Sequence, residues 1–571
     1  MSYRLLLAAL LPLALLFALL PEPHRSVAEP RPGQTPRLVV LVFFDQLRAD
    51  YLTRWDTLFG EGGFHRLEKD GAWFQNCRYP YSDTVTGAGH ASVATGCSPH
   101  THGIIANEWY DREAGTAVYC VSSERYQRVP PAPLGVETES EKKKGKGASP
   151  ERLLSPTLAD ALKATNGGKG RVVSLSLKDR SAVLPGGKRP DACYWLSAVN
   201  GLFVTSTYYR DAVHPWVRDF NRSHAIDAWM GKSWTRRCGQ LDYEKYSGPD
   251  DAVGEGTLLF TRTFPHALGG GLINVKAAYY AALYNSPFGN DVLLALARRA
   301  IEAEQLGKRD STDLLCLSFS SNDPIGHCWG PDSQEVLDVT LRSDDIVKEL
   351  LAVLDRQVGK DGYVLMLTAD HGVCPLPEAS RRRGVEAARI DPSDLVRRGS
   401  EFLGEKFHIP EADNRWVEAA ATPWLYLNRA LLERHHLKQA DVEAALAGWL
   451  RQQPGIQGVY TRSQLLAGMP KDDAIGQSVW RSFYAERSGD VRILEKPYYL
   501  LTTSLTGTNH GTPHAYDTHV PLLVYGAGVR PGVRREAVTP QAAAVIGAKA
   551  LGIKPPKQAD AELPAELFST H

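Results

Sequence analysis

The sequence predicts an α/β fold: three layers, a mostly parallel sheet with helices on both faces, interrupted by large insertions. An uninterrupted apolar run at Leu38–Phe44 reads as a fully buried strand, and Leu314–Phe319 and Val364–Thr368 read as further such strands. Each is followed within a few residues by a carboxylate, at Asp45, Asp323 and Asp370. With 571 residues, 43% of them hydrophobic and 23% charged, the chain can bury one large core or two ordinary ones.

At the N-terminus Arg4 precedes an apolar run from Leu5 to Leu20 and a small-residue site at Ser26-Val27-Ala28. That is the pattern of an export signal over residues 1–28, with an uncleaved anchor as the alternative. The destination is the periplasm or the exterior, with no stable membrane span once the signal is removed. Without those residues 63 basic side chains face 64 acidic ones. A near-neutral chain points away from nucleic acid or an anionic membrane as partner, and nothing demands more than a monomer. Eight cysteines without a C-x-x-C pair, in an exported chain, predict some disulfides and no thiolate zinc site.

Asp45 closes the first strand. The carboxyl ends of strands are where open α/β sheets bind ligands, so Asp45 is a candidate metal ligand or else a helix cap for LRADYLTRW. SDTVTGAGHASVATG follows, where Gly87 and Gly89 permit close approach and AGHASVATG reads as a short helix whose N-terminus favours an anion. Thr86, with Thr84 as alternative, is the candidate nucleophile. The segment Val129–Ser149 reads as a solvated loop, and Ser155-Pro156 as the cap and first residue of the helix TLADALKAT. In RVVSLSLKDRSAVLPGG, Lys178 and Arg180 fall on one side of an extended segment.

Residues from about 190 to 300 are rich in aromatics and read as an insertion over the core that shapes a leaving-group pocket. Asp323 and His327 are spaced i, i+4 in a helical turn begun by Pro324, so carboxylate and imidazole can share one ion. An amphipathic helix from about Ser333 to Gln357 comes next, and Gly372 allows a turn in which Asp370 and His371 reach one site. A second insertion spans about 378–500, His510 and His514 precede a buried strand at Val520–Tyr525, and 554–571 reads as a loose tail. The catalytic unit is thus expected over 36–553.

Carboxylates and imidazoles from separate strand ends suit zinc, and six or seven suffice for two ions. Such a pair can clamp the attacking and leaving oxygens of a displacement at phosphorus and activate the Thr86 hydroxyl.

In FFDQLRADY, TGAGHASVATG, HGIIANEWYD, SLKDRSAVLPGG, NDPIGH, TADHG and NHGTPHAYDTHVPLL the chain resembles the alkaline phosphatase superfamily, most closely its periplasmic, phosphate-irrepressible branch. The resemblance implies an alkaline-phosphatase-like core and hydrolysis of phosphate monoesters through a phosphothreonine on Thr86. It implies two Zn²⁺ per chain, one held by Asp45, Asp370 and His371 with Thr86, the other by Asp323, His327 and His510. It also implies that Asn107, Lys178 and Arg180 contact the phosphoryl oxygens. Lys178 and Arg180 favour the more highly charged monoester, leaving a diesterase or nucleotide pyrophosphatase as the alternative. His514 competes with His510 for the last place, while His90, His100, His102 and His519 read as structural. A sulfatase C/S-x-P-x-R motif fails at Thr101, and the serine-dependent phosphoglycerate mutases of similar fold are cytosolic, against the signal. A non-catalytic binding protein would be expected to lack some of these residues, and none is missing.

Overall fold

Strand β1 (Leu38–Phe44) is buried along its whole length at the centre of a ten-stranded sheet. The computed structural model describes residues 36–131, 145–165, 167–257, 261–268, 276–410 and 415–569. The expected export signal lies outside them. The other strands of this sheet are β2 (Ala72–Phe74), β3 (Arg128–Val129), β4 (Val172–Ser176), β5 (Ala192–Leu196), β6 (Phe203–Ser206), β7 (Asp313–Phe319), β8 (Tyr363–Thr368), β9 (Leu522–Gly526) and β10 (Gly532–Arg534). Their spatial order is β10-β2-β9-β8-β1-β7-β4-β5-β6-β3.

The run β8-β1-β7-β4-β5 is parallel, and burial on both faces is why β1 reads as a continuous apolar segment rather than an alternating one. β9 pairs antiparallel to β8, and β6 antiparallel to β5, so the sheet is mixed at its flanks. Register places Phe44 beside Phe319 and Phe43 beside Thr368, so the ends of the three central strands lie level.

Four helices matter for the site: α1 (Thr86–Thr95), α2 (Asp179–Gly186), α3 (Asn322–Trp329) and α4 (Gln334–Gln357). α1 and α2 pack on each other, α2 also packs on β4, β5 and β7, and α3 packs on α4. Ser333 caps α4 by accepting from the Val336 amide, as its position suggests.

Several expectations change. The helix after Pro156 begins at Leu158 and is capped by Thr157, whose hydroxyl accepts from the Asp160 amide (3.1 Å) while the Asp160 carboxylate accepts from Thr157 N (3.0 Å). Ser155 instead donates to the Thr101 carbonyl. β5 and β6 belong to the central sheet, so the aromatic stretch from 190 is not all insertion. Beyond it, Trp234 and Tyr243 donate to Asp338 of α4 at 2.7 and 2.6 Å, which fastens that segment to the core.

Residues Val417–Ala421, Trp424–Leu427, Ile456–Thr461 and Val491–Glu495 form a separate four-stranded sheet with its own apolar cluster around Leu403, Trp416, Leu427 and Leu446. The segment after Lys554 is anchored, not loose: Leu567 is buried and the Asp560 amide donates to the Gly96 carbonyl. The disulfides expected from eight cysteines are absent. All eight are free and only Cys238 is not buried. Cys193 and Cys316 point into packing from interior strands, where a thiol serves as a small apolar side chain, and burial pushes Cys316 up to about 12.

Candidate active site

The level strand ends place three carboxylates at one spot. Asp45 follows β1 directly, Asp370 lies just past β8, and Asp323 sits in the first turn of α3 beyond β7, all buried. Three imidazoles join them. His371 Nε2 is 3.5 Å from both Asp45 Oδ1 and Asp370 Oδ2. His327 Nε2 and His510 Nε2 lie 3.1 and 3.6 Å from Asp323 Oδ1. The His371 and His510 rings stack with centroids 3.5 Å apart.

Each of these histidines has its Nδ1 beside a backbone carbonyl: Gly372 for His371 (2.9 Å), Thr508 for His327 (2.8 Å) and Thr84 for His510 (2.8 Å). Such a bond fixes the tautomer and presents Nε2 as a lone pair, the arrangement of metal-ligating histidines. Asp45 Oδ1 and Asp370 Oδ2 are buried and, among the described residues, face only the imidazoles of His371 and His90 at 3.3–3.5 Å, without a well-formed hydrogen bond. Ligand atoms of Asp323, His327 and His510 converge, as do those of Asp45, Asp323 and His371. The donor set therefore fits one or more divalent cations.

Electrostatics agree. Burial raises Asp45 well above the usual carboxylate range, and Asp370 adds to the rise, a sign of more negative charge than its surroundings neutralise. Burial opposes ionisation of Asp323 and Asp370 too, yet Lys178 and His327 hold the first low and His371 and His90 the second. Burial pushes His371 down to about 3, keeping it neutral. The Lys178 ammonium bridges the two groups, 2.6 Å from Asp45 Oδ2 and 2.7 Å from Asp323 Oδ2.

Thr86 opens α1, its Oγ1 3.3 Å from His371 Nε2 and 3.3 Å from Arg180 Nη2. Thr84 is turned elsewhere, its hydroxyl donating to the Thr512 carbonyl. Gly89 lets α1 approach the sheet, since a Cβ there would stand 2.3 Å from the Asp370 carbonyl oxygen. Asn107 Oδ1 accepts from the Gly87 amide at 2.8 Å, which places this carboxamide at the helix N-terminus.

Lys178 and Arg180 do not share one extended segment, since Lys178 is extended and Arg180 is helical. β4 ends at Ser176, Lys178 is the N-cap of α2 and Arg180 lies in its first turn. The two cations thus diverge, one to the carboxylates and one to Thr86. Arg180 is oriented by Tyr119, whose hydroxyl accepts from Nη1 (3.0 Å) and donates to Asp179.

His514 is outside the cluster, its Nε2 3.0 Å from the Glu495 carbonyl. His519, His100 and His102 are held by Gln75, Phe483 and Ser92 respectively. His90 is held by the Thr86 carbonyl and Ser318, but it also touches Asp370 at 3.3 Å. Gln46 was missed by sequence reasoning. Its amide N–H reaches Asp370 (3.1 Å) and its side chain donates to Asp323 (2.8 Å), tying the groups together from a left-handed conformation with φ 66°. A glutamine carries no periodic signal, and only its place beside Asp45 could have drawn notice.

The sequence matches the family described as type I phosphodiesterase / nucleotide pyrophosphatase over residues 39–517. It is 35% identical to alkaline phosphatase PafA of Elizabethkingia meningoseptica across 505 residues, covering 87% of this chain and 88% of that one. Alkaline phosphatase PhoV of Synechococcus elongatus is 31% identical across 535 residues, covering 91% and 92%. The crystal structure of wild-type PafA superposes with a TM-score of 0.86 at 32% identity, over 94% of this chain and 100% of that one. No helix among the described residues is long and apolar enough to cross a membrane. The chain belongs to the type I phosphodiesterase / nucleotide pyrophosphatase family, as a hydrolase of phosphate esters in its PafA-like alkaline phosphatase branch.

Proposed function

We propose that the chain is an exported phosphomonoesterase that passes the phosphoryl group through Thr86, with two zinc ions as cofactors. The observation that carries this reading is the hydroxyl of Thr86 set between Arg180 and His371 at the N-terminus of α1, against a cluster of three carboxylates and three oriented imidazoles.

Asp45, Asp370 and His371 would hold one ion and Asp323, His327 and His510 the other. When bound, the ions supply Lewis acidity to the attacking and departing oxygens. The rest falls to the chain. Thr86 Oγ1 forms a bond to phosphorus as the ester P–O bond breaks and the alcohol departs with a proton. Water then breaks the Oγ1–P bond and releases phosphate.

Arg180 already reaches the Thr86 hydroxyl and so would meet the transferred oxygens, while the amide nitrogen of Asn107 offers a further donor. Two of the three Lys178 donors engage Asp45 and Asp323, which leaves one for a phosphoryl oxygen. Cations so placed favour a monoester over a diester, because the monoester brings more charge to them. The full-length relatives named alkaline phosphatases support the same choice within a family whose description names diesterases.

The test compares kcat/KM for an aryl phosphate monoester and its methyl diester. The monoester should lead by several orders of magnitude, Lys178→Ala should narrow the lead, and Thr86→Ala should abolish turnover. A diester lead would make the chain an exported phosphodiesterase instead.

A further inference from the structure

A cavity of about 110 Å³ is lined by His510 and by Val85, the residue before Thr86, and is bounded by the segments that flank Asn107 and His510 and by the four-stranded sheet of residues 417–495. It takes no lining from residues 190–300, where sequence reading placed a leaving-group pocket. One water needs about 10–15 Å³ on this scale, so the cavity has room for a small organic group.

Its chemistry is one-sided. Asp83, Glu108 and Glu495 line it together with Trp109, Trp424 and Tyr426, and no lysine or arginine does. Asp83 is already committed, 2.7 Å from Arg492 Nη2 and 2.9 Å from Trp424 Nε1. Glu495 is engaged only locally: its residue is 7% exposed and its carboxyl accepts from its own backbone amide. Burial pushes it up to about 7, with Asp83 adding to the rise against Arg492.

A buried carboxyl held only by its own backbone amide, in an aromatic-walled cavity that no lysine or arginine lines, suits a ligand that brings positive charge and a soft surface. We propose that this cavity is the subsite for a leaving alcohol bearing an ammonium group, so that amino-alcohol phosphates are the favoured monoesters. The inference rests on the phosphomonoesterase reading. A zwitterionic ester of this kind complements both ends of the site, its phosphoryl group facing Arg180 and Lys178 and its ammonium facing Glu495 and the aromatic rings. A neutral alcohol would fill the same space and bring no charge to Glu495.

The experiment compares kcat/KM for phosphocholine and for 3,3-dimethylbutyl phosphate, its uncharged isostere, in the metal-loaded full chain and in Glu495→Gln. Calorimetric titration with choline accompanies it, as a readout that does not need turnover. Phosphocholine should lead by about tenfold or more, a typical worth for a desolvated cation on aromatic and anionic groups. Glu495→Gln should remove most of that lead and weaken choline binding, with the melting temperature unchanged. Equal rates on the two esters without choline binding overturn the subsite. Choline binding without turnover of either ester supports the subsite and overturns the phosphomonoesterase reading.

Discussion

Thr84 and Thr86 are two positions apart, both buried, and differ in what their hydroxyls meet. Thr84 donates to a backbone carbonyl, a satisfied bond that holds the 84–86 turn against the loop of His510. Thr86 meets a guanidinium and an imidazole. Thr84→Ala should therefore cost a hydrogen bond, about 1 kcal/mol of stability, and leave kcat within about tenfold. Thr86→Ala should lower kcat by about three orders of magnitude or more, as loss of a nucleophile does. Urea titration and steady-state kinetics on both variants check this, and equal losses of kcat would mean that the assignment of Thr86 is wrong.

The seating of α1 depends on a missing side chain. A methyl at Gly89 would come 2.3 Å from the Asp370 carbonyl oxygen, and that atom is backbone, tied to the sheet. Gly89→Ala should push α1 outward, destabilise by about 1–3 kcal/mol and carry Thr86 away from Arg180, with kcat/KM down at least about tenfold. Wild-type kinetics and midpoint would show that the helix has slack. How much of the site was legible follows the same division between local and distant contacts. The strands β1, β7 and β8 are readable because burial on both faces leaves continuous apolar runs, and Asp45, Asp323 and Asp370 because they follow those runs in the chain. The i, i+4 pairing of Asp323 with His327 is likewise written in local geometry. Lys178 was read in the right place but on the wrong element, since a Ser-Leu-Lys alternation continues a strand until tertiary packing turns it into a cap. Gln46, the orientation of Arg180 by Tyr119, and the cavity at Glu495 depend on residues far apart in sequence, which no periodicity records.

Over the whole molecule, stability depends on pH through buried groups outside the site as well as within it. His102 accepts from the Ile104 amide and pairs with Ser92, and burial, aided by Arg487, pushes it down to about 3. In the unfolded chain the same imidazole titrates near about 6.5. The unfolded state thus binds the proton first, so the contribution of neutral His102 is whole above about pH 6.5 and shrinks as pH falls toward 3. Between pH 6.5 and 5 this one group should cost about 2 kcal/mol, at about 1.4 kcal/mol per pH unit. Denaturant midpoints at the two pH values measure it, and His102→Gln should flatten the difference; an unchanged slope would assign the acid sensitivity to other groups.

The free thiols also bear on how this protein can be made. Since no sulfur–sulfur bond joins any two of its segments, its fold owes nothing to the redox potential of its surroundings. Dithiothreitol should leave the melting temperature where it is, and a chain synthesised in a reducing compartment should reach the same native state as one synthesised in an oxidising one.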